Sequence, residues 1–460
     1  MIGHLLKPEL EELITEKRWD VLREALSHFH PSDIAEILVD IPEADDVPIF
    51  RILPRELAGN VFSYLPLDHQ ELLLKSLSNE QMRTLLGQMT PDDQTRLLEE
   101  LPPKVTRRLL AALAPDELKS ARDLLGYPPH SAGRYMTPEY VAIGPDMTAS
   151  EALDYIRKTG RDKETVNVVY VLDQDDRLIQ DVRLGSLVMA QPNTKVRDIF
   201  EGPLVALKAT TDREEAVQTF EKYDRIALPV TDADGYMLGI ITVDDILDVA
   251  TKEATEDIQK IGGMEALDAP YLEVGFLSMV KKRGGWLSVL FLGEMLTATA
   301  MGFFQMEIEK AAVLAMFIPL IISSGGNSGS QAATLTVRSL ALGELKLRDW
   351  LRVFFREIRT SLVLGTWLGL IGFVRILLWQ HLGWFDYTTH YLLVAVAVWV
   401  SLIGVVAFGS IAGSMLPFIL RRLGFDPATS SAPFVATLVD VTGLVIYFTV
   451  AMLILRGTLL

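Results

Sequence analysis

No cysteine occurs among the 460 residues. That excludes a disulfide scaffold, thiolate metal ligation and a cysteine nucleophile. Histidine is scarce as well. Its seven copies stand at 4, 28, 30, 69, 130, 381 and 390, and none lies inside a long apolar run. A nucleophile buried in such a run would therefore have no imidazole base beside it. No G-x-x-x-x-G-K-[ST] string occurs, so there is no P-loop to couple nucleotide hydrolysis to work. No apolar run follows Met1: the opening MIGHLLKPELEELITEKRWD is charged and amphipathic. The expectation is a chain without a signal peptide, whose first half stays in the cytoplasm.

What is present is lopsided. Apolar residues make up 49% and charged ones 22%, with a mean hydropathy of +0.26. One watery part and one lipid-facing part explain that combination, and the length calls for more than one domain. From Gly284 to Leu460 nine acids face eleven Lys and Arg, whereas the preceding residues hold 51 acids and 32 bases. The watery part thus carries the whole net charge of −17 and more. Such a surface repels nucleic acid and attracts cations.

Residues 5–127 show Leu, Ile and Ala at three- and four-residue spacing, broken by Pro or Asn. A twelve-residue repeat starts at Asn79, Pro91, Pro103 and Pro115, aligning Leu85, Leu97 and Leu109 and also Leu86, Leu98 and Leu110. Proline suits the first turn of a helix, where its missing N–H has no intrahelical partner to lose. Helices this short bury too little singly and are expected to stack as an all-α superhelix over 1–130.

A second repeat fills 131–250. The segment from Val141 aligns with that from Val205, and VYVLDQDDRLIQDVRLGSLV aligns with LPVTDADGYMLGIITVDDIL. Each unit reads strand, helix, strand, Asp/Gly turn, strand, helix. The pair resembles tandem CBS domains, α/β regulatory modules that often bind adenosine nucleotides. In the second unit Gly239-Ile-Ile-Thr242-Val-Asp-Asp245 matches that family's ribose-binding pattern, so Thr242 and Asp245 are candidate contacts for ATP or a related nucleotide. The first unit departs from it with Gln180, Arg183 and Ser186. The resemblance implies at most one nucleotide per chain.

Residues 244–268, within a connector of 244–270, read as one long helix with eight acids and two lysines. Glu253, Glu256 and Asp257 share a face of it, and like charges at that spacing cost a few tenths of a kcal/mol per pair. From residue 280 onward the chain reads as an all-α membrane domain. Five apolar segments of membrane length follow: 286–304, 311–337, 360–379, 391–419 and 430–455. Basic residues crowd before the first, between the second and third, and between the fourth and fifth. The positive-inside rule then puts the N-terminus in the cytoplasm and the C-terminus outside.

Two polar features interrupt these segments. Asp440 is a carboxylate near the middle of the fifth, and Ala436, Thr437 and Gly443 fall on its face of a helix. A charge at that depth costs at least ~2.5 kcal/mol and faces a bundle or a wet path. Ser323–Gln331 holds three Gly and four Ser in nine residues of the second segment, a composition tolerated where it lines a cavity or packs on backbone. Asn327 and Gln331 are a helical turn apart. Gly326-Asn-Ser328-Gly329 has the form seen around intramembrane protease serines, but the base is lacking, so no enzyme is expected. Glu294 in the first segment is a further acid.

Taken together, an acidic superhelix, a CBS pair, an acidic connecting helix and five spans resemble the MgtE family of magnesium transporters and channels. Gly325-Gly-Asn-Ser-Gly-Ser-Gln331 and Pro433-Phe-Val-Ala-Thr-Leu-Val-Asp440 carry the resemblance most specifically. It implies a homodimer in the cell membrane with a pore between subunits, and a cytosolic gate that senses Mg²⁺. Asp440 would be the pore carboxylate, with Asn327, Ala436 and Thr437 near the ion path. Asp426, in the loop GFDP, would sit at the cytoplasmic mouth. The connecting helix would be the family's plug. Its Asp245, Asp248, Glu253, Glu256 and Asp257 would share regulatory ions with Glu214 and Asp224 of the CBS pair and with Asp92 or Asp93 of the superhelix.

Overall fold

The computed structural model describes residues 9–459 apart from 11, 42, 268, 270 and 273. It divides between Val249 and Ala250 into two compact units.

The first unit opens with a stack of short helices: Trp19–Leu26 (α1), Pro31–Asp40 (α2), Glu43–Ile52 (α3), Arg55–Tyr64 (α4), Leu67–Ser76 (α5), Asn79–Leu86 (α6), Pro91–Glu100 (α7), Pro103–Leu110 (α8) and Pro115–Leu125 (α9). Every start is twelve residues after the last. The repeat therefore runs back well beyond Asn79, where the sequence alone reveals it, because α3 to α5 lack the opening proline. Helices of 8–11 residues are marginal in water. These survive because one continuous apolar cluster runs from Leu10 to Ala121 and takes in Leu85, Leu86, Leu97, Leu98 and Leu109. A polar device repeats too. Gln70 and Gln94 are buried, and each Nε2 donates at 2.8 Å to the carbonyl eight residues earlier, Phe62 and Leu86. Each such bond reaches a carbonyl in the last turn of the preceding helix, which has no i+4 N–H within its own helix.

Two small sheets follow. Ala142–Ile143 (β1) pairs parallel with Val168–Leu172 (β2), which pairs antiparallel with Leu178–Arg183 (β3). Leu207–Lys208 (β4), Ala227–Thr231 (β5) and Met237–Thr242 (β6) repeat that order. The helices are Ala149–Thr159 (α10), Leu184–Met189 (α11) and Arg213–Tyr223 (α12). The internal symmetry extends to the turns. Asp173 Oδ1 accepts from the N–H groups of Asp175 and Arg177, and Asp232 Oδ1 accepts from those of Asp234 and Tyr236, all at 2.8–2.9 Å. The two sheets share a core in which Tyr170 is fully buried with Val168, Met237 and Ile240. Leu124 of α9 belongs to the core of the second sheet, so superhelix and CBS pair are packed as one.

The connecting helix is Val243–Ile261 (α13), shorter than the expected 244–268. Gly262 follows it and Gly263 takes a left-handed φ of +76°, a conformation that stops a helix and suits glycine. Residue 268, the far end of that expectation, lies outside the described residues.

The second unit is helical, with Phe276–Phe303 (α14), Gln305–Lys310 (α15), Ala312–Ala315 (α16), Ile318–Ala341 (α17), Trp350–His381 (α18), Tyr391–Arg422 (α19) and Ala432–Leu455 (α20). By length and composition five of these stretches are able to cross a membrane: Phe276–Phe303, Ala312–Ala341, Leu347–His381, Tyr391–Arg422 and Ala432–Leu455. The Gly/Ser stretch does not break its helix, since α17 is continuous through Ser323–Gln331. Its small residues instead let two backbones meet. A Cβ on Gly325 would lie 2.5 Å from Val405 Cγ1, and one on Gly329 would lie 2.8 Å from the Gly409 carbonyl oxygen. Gly409 and Gly413 press back on the carbonyls of Gly325 and Gly329. Ser328 and Ser410 share a hydrogen bond of 2.7 Å inside this seam. Close approach of this kind replaces the hydrophobic drive that helices lack in lipid.

A side chain at the seam must push α17 and α19 apart. Gly409→Ala is expected to destabilise the protein by about 1–3 kcal/mol, in the range of core overpacking. Gly302→Ala, whose new methyl meets nothing within 4 Å, is expected to change stability little. Thermal unfolding of the two purified variants in one detergent distinguishes the sites.

Candidate functional site

Chemistry-bearing residues gather in three places. The first is the middle of the second unit. Asp440 is half-buried on α20, and Glu294 on α14 is exposed. Their side chains lie within hydrogen-bonding reach of each other. Close packing of α14 on α20 brings this about, because a Cβ on Gly293 would lie 2.8 Å from Thr437 Cγ2. Thr297, one turn beyond Glu294, is buried with its hydroxyl unpartnered. A Cβ on Gly326 would lie 3.5 Å from Ala436 Cβ, so α17 packs on α20 one residue from Asn327 and one helical turn from Asp440. Ser323, Asn327 and Gln331 form an exposed polar stripe along α17, with Asn327 Nδ2 donating to Ser323 Oγ at 3.5 Å. The four expected pore residues thus fall on two touching helices. The face around Asp440 is narrower than its spacing suggests: Thr437 turns to α14, Ala436 to α17, and Gly443 packs on Val405 of α19.

The second place is in the first unit, where α7 and α13 both start. Asp92 and Asp93 stand in the first turn of α7, and Asp244 and Asp245 in that of α13. Arg96 binds Asp93 at 2.7 Å and Asp248 at 3.3 Å. Asp92 Oδ1 and Glu164 Oε2 are buried without hydrogen-bond partners. The crowding shows in their affinity for protons. Burial and then Asp93 push Asp92 up to about 6. Burial and then Asp92 push Asp245 up to about 8. Burial followed by Asp92 and Asp244 pushes Glu164 up to about 7. Opposed buried carboxylates with free lone pairs suit a hard divalent cation such as Mg²⁺, which takes oxygen ligands. Among the described residues no three acidic or histidine side chains are yet close enough to hold one metal ion. Glu214 and Asp224 sit at opposite ends of α12, Asp224 in a left-handed conformation with φ +49°.

The third place is in the second unit, at the end of α13. Lys260 Nζ binds Glu256 at 2.6 Å and Asp426 at 2.6 Å. Burial, Asp426 and Glu253 together push Asp257 up to about 6. Nearby, Gly263 packs on Trp286 and Pro433, and Trp286 Nε1 donates to Ser431 Oγ at 3.0 Å. The start of α20 is therefore tied to the chain that follows α13.

The sequence points to Asp92, Asp93, Asp245, Asp248, Glu256, Asp257 and Asp426. It gives no sign of Glu164, a loop residue whose neighbours come from elsewhere in the chain. Arg96 and Lys260 are visible only as the ordinary i+3 and i+4 partners of Asp93 and Glu256.

The nucleotide candidates are also placed. Thr242 Oγ1 donates to Asp245 Oδ2 at 2.9 Å, and Gly239 is dictated by the Thr137 carbonyl, which a Cβ would approach to 2.6 Å. A cavity of ≈ 210 Å³ instead opens beside β3 of the first CBS unit, lined by Asp181, Arg183 and Ser186 and by Glu201 and Arg225 of the second repeat, among others.

Carboxyl groups titrating above their ordinary values make the folded state hold protons that the unfolded chain releases. Their stabilisation is complete below about pH 4 and is lost as pH rises through about 6 to 8. In Mg²⁺-free buffer the full-length protein is therefore expected to melt at lower temperature at pH 8.5 than at pH 6. Millimolar Mg²⁺ is expected to recover more at pH 8.5. Equal recovery at both values would contradict the crowding.

Three comparisons bear on this arrangement. Residues 29–130 match the MgtE intracellular N domain, 132–192 and 196–252 match CBS domains, and 318–450 match the MgtE divalent cation transporter model. The chain is 38% identical over 98% of its length, and 99% of the relative's, to the magnesium transporter MgtE of Thermus thermophilus. It is 34% identical over 74% of its length, and 73% of the relative's, to that of Enterococcus faecalis. A solved structure of the cytosolic domain of the Mg²⁺ channel MgtE in complex with ATP superposes with a TM-score of 0.50, at 34% identity, covering 52% of this chain and 98% of that one. The relatives that match most of this chain are named magnesium transporters, which are not enzymes, and the three kinds of domain follow one another along it. This chain belongs to the MgtE family of divalent cation transporters.

Proposed function

We propose that the chain conducts hydrated Mg²⁺ passively into the cytoplasm through a pore formed by two copies, and that Mg²⁺ on the cytosolic side closes it. The observation that carries this reading is Asp440 with Glu294 beside it, both accessible at the depth of the apolar core. Neither carboxylate is stable against lipid, so that face borders water or another subunit. Mg²⁺ surrenders its hydration shell reluctantly and is usually held through one or two carboxylates with several waters kept. Two copies of Asp440 across a two-fold axis meet that need without a dehydrating cage, and hydrated size and charge then select the ion. Basic residues on the loops put the N-terminus in the cytoplasm and the C-terminus outside the cell membrane.

Closure rests on the acidic groups. Two carboxylates about 8 Å apart at an effective dielectric of 20 repel by about 2 kcal/mol. An ion that binds the compact form better shifts the population toward it. Asp92, Asp93, Glu164, Asp245 and Asp248 would bring regulatory Mg²⁺ to the first unit, with Glu214 and Asp224 as further CBS ligands. Glu253, Glu256, Asp257 and Asp426 would do so in the second.

A nucleotide has two possible places. Thr242 and Asp245 keep the ribose pattern, but Asp92, Asp93 and Asp244 would repel its phosphates unless Mg²⁺ were bound there. The cavity beside Arg183 and Arg225 offers two cations to a phosphate, although Asp181, paired with Arg225 at 2.8 Å, and Glu201 line it as well.

Proteoliposomes holding the purified protein test the main reading, through Mg²⁺ uptake with and without internal Mg²⁺. Asp440→Asn keeps the shape and removes the charge. Its uptake is expected to fall at least about tenfold, the consequence of losing roughly 1.4 kcal/mol or more of ion binding. Near-normal uptake would place the ion elsewhere, with Glu294 next. Replacing Glu253, Glu256 and Asp257 together by Gln or Asn is expected to leave uptake running at internal Mg²⁺ that shuts the parent protein. For the nucleotide, calorimetry with ATP is expected to show one site per chain. Loss of binding in Thr242→Ala puts it at the ribose pattern of the second CBS unit, and loss in Arg183→Ala puts it in the cavity beside β3.

A further inference from the structure

We propose that Lys260 is a tethered cation that occupies the place between Glu256 and Asp426 where a regulatory divalent ion would sit, and that it thereby sets how much Mg²⁺ closure requires. This rests on the reading above that these acids bind regulatory Mg²⁺. The geometry is specific. One ammonium reaches a carboxylate of its own helix and one 166 residues further along the chain, both at 2.6 Å. The partners are about two-thirds buried or more, so the contacts are not those of a loose surface pair.

Asp426 is held independently of the lysine. Its Oδ1 accepts the Ala428 N–H at 2.8 Å and caps the short turn Pro427–Thr429. Only Oδ2 faces Lys260. Removing the ammonium therefore leaves a fixed carboxylate pointing at Glu256, with Asp257 and Glu253 close by on the same helix. Carboxylates gathered this closely, with Asp426 and Glu253 both raising the proton affinity of Asp257, make the place attractive to a divalent ion. An ammonium on a four-carbon stem swings aside without backbone movement. A divalent ion has to break two charge-assisted bonds to enter, and each is about twice as strong as a neutral one. A lysine tied to the helix also competes at an effective concentration that the salt of the cell does not alter.

The test compares Lys260→Gln, Lys260→Met and Lys260→Arg with the parent in proteoliposomes, reading the internal Mg²⁺ that halves uptake. Loss of the charge is expected to lower that concentration by about fivefold to tenfold, roughly the worth of one charge-assisted bond, whereas Lys260→Arg stays near the parent. Thermal unfolding of the full chain adds a second readout. Without Mg²⁺ the Gln and Met variants are expected to melt earlier, and with saturating Mg²⁺ to melt with the parent or later. A half-closing concentration that is unchanged or raised overturns the proposal. So does a melting deficit that persists in saturating Mg²⁺, the mark of a purely structural ion pair. The triple replacement of Glu253, Glu256 and Asp257 separates the two failures. If it closes like the parent, the regulatory reading of these acids is wrong and the lysine proposal goes with it. If it loses closure while the lysine variants keep the parent's half-closing concentration, only the role of Lys260 is wrong.

Discussion

Repulsion between carboxylates along α13 is the constraint that the acidic residues at both its ends are arranged around. At an effective dielectric of 20, two such groups 5 Å apart cost about 3 kcal/mol, a sizeable part of the 5–15 kcal/mol that typically separates folded from unfolded chains. The two ends of the helix meet this cost differently. In the first unit Arg96 binds Asp93 and Asp248 directly and reaches Asp92 and Asp245 only through its field, and Asp92, Glu164 and Asp245 hold protons more tightly. In the second unit Lys260 serves Glu256 and Asp426 directly. A helix tuned for stability alone would interleave more lysine. Leaving the charge unbalanced keeps the local energy responsive to whatever cation arrives.

The membrane helices face the opposite constraint. There is little charge to balance, and position is decided by side chains that are missing. Gly325, Gly329, Gly409 and Gly413 bring α17 and α19 into backbone contact, and Ser328 with Ser410 closes the seam. α20 then wedges between its neighbours, with Val435 and Val439 fully buried and Thr437 against Gly293 of α14. Asp440 is held where it is by these contacts rather than by any bond of its own to a cation. Its polar neighbour is another acid, Glu294, so among the described residues the packing supplies it no cation, and on the proposed reading a passing ion takes that place.

How much of this is readable beforehand follows from the range of the forces. Five spans, the CBS repeat and the helical stack rest on local periodicity and length, and all are legible. The twelve-residue period is seen only where proline marks it, although it runs from Trp19 to Pro115. α13 is read too long because its acids continue past Gly262 and Gly263, and the left-handed turn there outweighs them. The Gly/Ser stretch leaves two readings open in sequence, cavity or backbone contact. Only Val405 and Gly409, some eighty residues away, decide between them. Glu164 is invisible for the same reason: its significance lies in Asp92 and Asp244, which the fold brings to it.

One asymmetry remains to be accounted for. α14 buries almost nothing but Thr297 within the chain. Phe291, Leu292, Met295 and Leu296 are exposed and at ease in lipid, whereas Glu294 in their midst is exposed and is not. The same holds for the stripe of Ser323, Asn327 and Gln331 on α17. One chain thus presents both a surface that lipid solvates and a polar strip that lipid does not. The strip is stable only against water or against a similar strip. On the reading proposed above, a second copy related by a two-fold axis would supply both, since self-complementary contacts would seal the apolar margin while the polar centre stayed wet. On the proposed reading, the pairing of subunits and the path of the ion are then one solution to one problem: a carboxylate at membrane depth that the single chain leaves unneutralised.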